Sequence, residues 1–207
     1  MLNLTEIFYS LQGESSYAGL PCIFIRLAGC NLRCKYCDTI YSYETSYSKS
    51  TSDILNEIKK NEPVKLVELT GGEPLLQKEI YLLMQALHEN GYTILLETNG
   101  SINLRDVPEF VIKIVDVKCP SSGYLDSFIL KNLEYLTSKD ELKFVISDEW
   151  DYAWAKKFMQ TNLQHTANIL FSAVKDSMDP NTLAKMILND KLNVKLQIQL
   201  HKILDLK

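Results

Sequence analysis

Val64-Lys-Leu-Val-Glu-Leu-Thr-Gly-Gly-Glu-Pro-Leu-Leu-Gln-Lys-Glu-Ile-Tyr-Leu-Leu-Met-Gln-Ala-Leu-His-Glu-Asn-Gly-Tyr-Thr-Ile-Leu-Leu-Glu-Thr-Asn-Gly100 contains one full repeat of the chain's plan. Residues 64–69 are a largely apolar run that stops at a Gly-Gly turn, which reads as a buried strand. Ile80, Leu82, Leu83, Ala86 and Leu87 then recur at helical spacing, predicting a helix over residues 78–89 that Gly91 closes. Residues 92–97 are the next strand. Strand, helix, strand in this order implies parallel pairing through a right-handed crossover.

The same alternation extends both ways. Toward the N-terminus, residues 2–10 alternate as a first strand, residues 11–16 form a polar turn, and residues 22–28 are an apolar strand between Pro21 and Gly29. Residues 42–51, rich in Ser, Thr and Tyr, read as an exposed connection, after which Thr51 or Ser52 would cap a helix from Asp53. Toward the C-terminus, strands are expected at 111–117, 141–147, 169–171 and 194–200, with helices at 127–136, 150–162 and 180–189. About six parallel strands after the N-terminal one are too few to close an eightfold barrel. The expected fold class is therefore α/β, an open, partial β/α barrel with an N-terminal strand extension, forming one domain over residues 1–207.

A chain of 207 residues, 46% hydrophobic and 23% charged, has enough core to stand without disulfide staples. A formal net charge of −4 leaves no basic footprint for nucleic acid. No run of 18 apolar residues spans a membrane, and the N-terminus lacks the basic start and long apolar stretch of a signal peptide. Five cysteines in such a chain suit a reducing, cytoplasmic setting.

Three of those cysteines define a loop, Leu27-Ala-Gly-Cys-Asn-Leu-Arg-Cys-Lys-Tyr-Cys-Asp-Thr-Ile-Tyr41. Cys30, Cys34 and Cys37 fall within eight residues. Thiolates so close can hold a soft metal or three irons of a 4Fe-4S cubane. A structural zinc site wants four closed ligands, usually from two separated cysteine pairs, and the second pair is missing. An odd trio also argues against a disulfide.

Polar or glycine-rich clusters stand at the C-terminal ends of successive strands: the cysteine loop, residues 70–73, 97–100, 116–118, and Ser172. In α/β barrels that end carries the active site. Gly71 and Gly72 let backbone approach a ligand, and the Glu73 carboxylate suits an ammonium group, although a plain Gly-Gly turn explains them as well. Arg26 sits inside an apolar strand, so a carboxylate or a ligand anion should meet it. Asp116 and Lys118 are either a ligand-binding pair or a surface ion pair. His88 and His165 read as surface helix residues without a role.

The cysteine loop, with aromatic Tyr36 directly before Cys37, resembles the cluster loop of the radical S-adenosylmethionine (SAM) superfamily, and residues 71–73 resemble its Gly-Gly-Glu motif, which holds the SAM amino group. Across nearly the whole chain the sequence is similar to the 7-carboxy-7-deazaguanine synthase family. The likeness runs through Tyr9-Ser-Leu-Gln-Gly-Glu14, Arg26, residues 29–39, 70–74 and 97–100, Lys118-Cys-Pro-Ser-Ser-Gly123 and Gln199-Leu-His-Lys202. It implies a lyase of queuosine and 7-deazapurine biosynthesis that converts 6-carboxy-5,6,7,8-tetrahydropterin to 7-carboxy-7-deazaguanine with loss of ammonia. Its cofactors would be a 4Fe-4S cluster, SAM and Mg²⁺.

Carried onto this chain, the resemblance makes Cys30, Cys34 and Cys37 the cluster ligands and Thr39 the Mg²⁺ ligand. SAM would contact Tyr36, Cys37, Asp38, Gly72, Glu73, Asp116, Val117 and Lys118, with Phe171, Ser172 and Ala173 offering one ring and backbone groups to the adenine. The pterin would meet Leu11, Gln12, Gly13, Glu14, Arg26, Thr70 and His201. The family's short aromatic or proline ending is replaced here by Ile203-Leu-Asp-Leu-Lys207. A flavodoxin- or ferredoxin-like electron donor and a homodimer are further implied. A glycyl-radical activase would show the same cysteine spacing; the Leu-Gln-Gly-Glu and Cys-Asp-Thr pieces favour the pterin enzyme.

Overall fold

The computed structural model describes residues 1–162 and 167–207, and His165 lies outside them. Strands β1 (Leu2–Leu11) and β2 (Pro21–Leu27) form an antiparallel hairpin, with a short β3 (Tyr47–Lys49) on the outer edge of β1. From β2 onward the sheet is parallel: β4 (Leu66–Gly71), β5 (Thr93–Thr98), β6 (Ile112–Val117), β7 (Glu141–Ile146), β8 (Asn168–Ala173) and β9 (Lys195–Gln197). The order β3-β1-β2-β4-β5-β6-β7-β8-β9 ends at two unpaired edges, so the barrel is open. Six of the parallel strands run six or seven residues, and β9 adds a seventh of three.

Helices α1 (Thr51–Ile58), α2 (Ile80–Glu89), α3 (Glu149–Asn162) and α4 (Pro180–Asn189) are the longer helices. Their apolar stripes join one face of the sheet in a continuous core through Ile23, Ile25, Val67, Leu69, Leu96 and Phe144. Each fully buried Leu, Ile or Phe contributes about 1.5–3 kcal/mol of transfer free energy. A strand alternates its side chains, so the intervening members of the same strands face the other way. There a smaller cluster of Cys22, Phe24, Leu66, Leu95, Ile112 and Ile114 fills the lower part of the concave face. Above it the same strands turn polar with Arg26, Glu68, Thr70, Glu97 and Asp116, joined by Lys143 of β7.

Local chemistry explains where the expected elements shift. The α1 cap is Ser50, one residue before the expected Thr51 or Ser52: its hydroxyl accepts from the Asp53 N–H at 3.1 Å. Residues 47–49 of the supposed exposed connection pair with the edge of β1. Residues 127–136 form 3-10 turns instead of an α-helix. Buried Asn132 donates to the Gly100 and Ile102 carbonyls at 2.9 Å and accepts from the Leu104 N–H at 3.0 Å, which ties the segment to the loop after β5. The last strand stops at Gln197, and residues 200–203 coil into α5 (Leu200–Ile203), because the Leu200 N–H donates to the Gly13 carbonyl at 2.9 Å. His88 is exposed as expected and stacks on Phe110.

Candidate active site

The C-terminal strand ends surround a cavity of about 610 Å³, a size typical of small-molecule sites. Cys30, Cys34 and Cys37 line it, half-buried and free as thiols, so no disulfide joins them. Gly72, beyond β4, holds the first turn of their loop. Its N–H donates to the Leu27 carbonyl at 3.1 Å, and the Glu73 N–H donates to the Gly29 carbonyl at 2.8 Å. A β-carbon on Gly71 would lie 2.1 Å from the Leu27 oxygen, and one on Gly72 2.0 Å from the Gly29 oxygen. Only glycine fits at either position. The Gly-Gly pair therefore brings the end of β4 against the cysteine loop, besides exposing backbone to the cavity.

Glu73 plays a different part from the one its motif suggests. Its side chain is fully buried and does not line the cavity. The carboxylate accepts from the Leu75 N–H at 3.0 Å, the Thr98 hydroxyl at 2.9 Å and the Asn99 N–H at 2.7 Å. Burial pushes it up to about 7, against the pull of those donors. Glu73 thus fixes Asn99, whose amide approaches Cys30 Sγ at 3.9 Å and Asn31 Oδ1 at 3.2 Å.

Two further expectations are corrected by strand alternation. Asp116 and Lys118 face the cavity and pair at 2.8 Å, while Val117, between them, is buried in the core under the helices. Ser172 and Ala173 line the cavity, but the Phe171 ring packs edge-on against Phe144 and Tyr152 and meets no adenine site. Burial works against the Lys118 charge, yet Asp116 and Cys34 hold its pKa above the ordinary lysine value. Asp116 Oδ1 is buried without a hydrogen-bond partner, an acceptor available to ligand hydroxyls.

The same cavity is lined by Leu11, Gln12, Gly13, Glu14, Arg26, Thr70 and His201. Arg26 pairs with Glu6 at 3.0 Å, the structural alternative for its charge, while still lining the cavity. Glu14 bonds to Lys143 at 3.0 Å, Gln197 at 2.8 Å and Gln199 at 2.7 Å. Lys143 also pairs with Glu97, and Thr70 donates to Glu97 at 2.9 Å. Burial would raise Glu97, but Lys143 holds it below the usual carboxylate range. Glu97 stood in the strand-end cluster 97–100, whereas Glu68, Lys143 and Gln197 were not singled out in the sequence. The signal was present: each is a polar side chain inside a strand, the same feature that singled out Arg26.

Tyr36, Asp38 and Thr39 also line the cavity. Tyr36 presents a buried hydroxyl without a partner, and Lys202 on α5 salt-bridges Asp38 at 2.6 Å. Thr39 donates to Asp38 Oδ1 at 2.9 Å, so its hydroxyl caps no helix. Among the described residues no three His, Cys, Asp or Glu side chains converge closely enough for a single ion. A cubane spreads its ligands over separate irons, so the trio fits a cluster better than zinc. Burial raises the Cys30 and Cys34 thiols, and metal coordination would supply the stabilisation their thiolates lack.

A cysteine trio at the mouth of an open parallel barrel defines a class, and residues 24–121 match the family model described as Radical SAM superfamily. Over 216 residues the chain is 47% identical to the 7-carboxy-7-deazaguanine synthase of Koribacter versatilis (strain Ellin345), covering 97% of this chain and 96% of that one. It is 40% identical over 205 residues to the synthase of Chlorobaculum tepidum, covering 97% and 93%. QueE from Escherichia coli superposes with a TM-score of 0.77 at 23% identity, over 95% of this chain and 93% of that chain, a likeness of fold. The chain belongs to the 7-carboxy-7-deazaguanine synthase family of the radical SAM superfamily. Membership in the superfamily implies a 4Fe-4S cluster and SAM. Among the described residues no helix is long and apolar enough to cross a membrane.

Proposed function

We propose that this chain converts 6-carboxy-5,6,7,8-tetrahydropterin to 7-carboxy-7-deazaguanine with loss of ammonia. The observation that carries this reading is one cavity lined by both the cysteine trio and Gln12, Glu14, Arg26 and Thr70, in a chain 47% identical over its length to a synthase of that name. Held by Cys30, Cys34 and Cys37, a reduced cluster would supply the electron that cleaves SAM to methionine and the radical that takes hydrogen from C6 of the pterin.

The protein's own task is to bind, orient and enclose. Cys30, Cys34 and Cys37 hold the cluster. The backbone at Gly72 receives the SAM amino group, Lys118 the SAM carboxylate and Asp116 the ribose hydroxyls; backbone at Tyr36, Cys37, Asp38, Ser172 and Ala173 borders the adenine. Arg26 turns from Glu6 toward the substrate carboxylate, and Gln12 and Glu14 border the polar edge of the ring. Leu11, Gly13, Thr70 and His201 border the same ring. Holding both reactants in one closed space matters most, because an unconfined primary radical would attack the protein.

Thr39 completes the reading as a Mg²⁺ ligand. Mg²⁺ keeps several waters and takes substrate oxygens, so a single hydroxyl beside Asp38 suffices when the pterin carboxylate is present. A flavodoxin- or ferredoxin-like reductant, a homodimer and a cytoplasmic location complete the assignment, and nucleic acid has no part in it. The test is anaerobic incubation of reconstituted protein with SAM, dithionite, Mg²⁺ and the pterin. The deazapurine chromophore should form with wild type and be absent with Cys30→Ala. SAM cleavage without deazapurine would overturn the substrate, and a glycyl radical raised on a partner protein would identify an activase instead.

A further inference from the structure

Three acids and one ammonium meet at the floor of the cavity. Lys143 serves two of them, Glu14 and Glu97, each of which also holds neutral hydrogen-bond donors. Glu68, on β4, is the third. It is 5% exposed, lines the cavity and has no cation. Among the described residues the one side chain donating to it is the Gln12 amide. A buried carboxylate left in this state is costly unless further donors reach it. The apolar cluster beneath offers none.

We propose that Glu68 is the residue that reads the amino-bearing edge of the substrate ring, taking the N3–H and the 2-amino N–H of the pterin as a parallel pair. This rests on the pterin assignment above and adds to it the group that sets ring specificity. A carboxylate accepts two adjacent N–H donors in one plane, a charge-assisted arrangement of high geometric selectivity. Glu14 and Glu97 are poorer candidates because each already pairs with Lys143 and accepts from neutral donors. Gln12 donates to one Glu68 oxygen and orients the carboxylate, and each oxygen keeps a lone pair for a ring N–H.

Electrostatics agree with this geometry. Burial, reinforced by Glu97 and Glu14 and only partly offset by Gln12 and Lys143, pushes Glu68 up to about 8, with the Cys22 thiol on β2 also close by. Two ligand donors would reverse the balance: Glu68 gives its proton to solvent as the ring docks. Ionised above pH 8, Glu68 repels a 2-oxo ring, which presents lone pairs where the pterin presents an amino group; below that pH its own proton would let the acid match either ring. An amide in place of the acid supplies one donor and one acceptor, the complement of that 2-oxo ring.

Glu68→Gln, nearly isosteric, tests the assignment in the cluster-loaded enzyme. Steady-state kinetics at about pH 8.5, above the Glu68 value of about 8, would compare 6-carboxy-5,6,7,8-tetrahydropterin with its 2-oxo (lumazine) counterpart, alongside iron content and SAM affinity. The expected result is a KM for the pterin raised roughly 10- to 100-fold, as for loss of one charge-assisted hydrogen bond. Preference for the amino over the oxo ring should fall at least about tenfold, with iron and SAM binding unchanged. A wild-type enzyme that converts the pterin while Glu68→Gln keeps both its KM and its preference overturns the role of Glu68 alone. A wild-type enzyme that binds neither ring overturns the pterin assignment and this one with it.

Discussion

The imidazole of His201 occupies the space that a β-carbon on Gly13 would need, its Nδ1 lying 1.9 Å from that point. The contact joins the turn between β1 and β2 to α5, beside the Leu200-to-Gly13 backbone bond at 2.9 Å. Burial holds His201 below the ordinary imidazole range, so it sits there neutral near pH 7. Gly13→Ala should therefore push α5 off the cavity. The expected outcome is a loss of roughly 10-fold or more in kcat/KM for the pterin, on the scale of misplaced substrate groups, with SAM affinity retained. Kinetics with each substrate varied in turn checks it, and an unchanged pterin term would refute the packing role.

Glu73 supports the cluster loop from behind, so its removal should register in stability and iron retention. Glu73→Ala leaves the Leu75 and Asn99 N–H groups and the Thr98 hydroxyl without their acceptor. Each unsatisfied buried group costs about 1–3 kcal/mol, and each ~2 kcal/mol lost lowers the melting temperature of a chain this size by about 4–8 °C. Iron bound per chain after reconstitution should fall as well, because Asn99 no longer steadies Asn31 and Cys30. Thermal melts with iron assays decide the point; wild-type values in both would contradict it.

Glu68 makes stability depend on pH in a defined direction. Its native value of about 8 lies above the ordinary 4.5, so the folded protein keeps a proton that the unfolded chain releases. Its contribution is full below pH 4.5 and is lost as pH rises toward 8. Wild type should lose more stability than Glu68→Gln between pH 5.5 and 8.5 in anaerobic urea unfolding. Equal losses would mean that Glu68 is ionised in the free protein.

Most of this site was legible because its residues announce themselves locally. Three cysteines on one loop, a Gly-Gly-Glu turn and polar strand ends need no knowledge of distant contacts. Strand alternation was equally readable: with Asp116 and Lys118 in the cavity, Val117 had to point away, and Ser172 likewise turns Phe171 outward. What could not be read locally was tertiary. Asn132 draws residues 127–136 out of an α-helix by bonding to backbone some thirty positions earlier. Glu73 looks like a ligand group in sequence, and its burial follows from donors on Thr98 and Asn99. The polar, three-residue β3 acquires its strand form from the edge of β1, a partner invisible in its own composition.

One cavity serving both SAM and the pterin is the central claim, and hydrogen transfer between them is its most direct consequence. Substrate carrying deuterium at C6 would be turned over once under anaerobic conditions and the 5′-deoxyadenosine weighed by mass spectrometry. The account predicts one deuterium in that product, formed in step with the deazapurine. Unlabelled 5′-deoxyadenosine accompanying full turnover would contradict it.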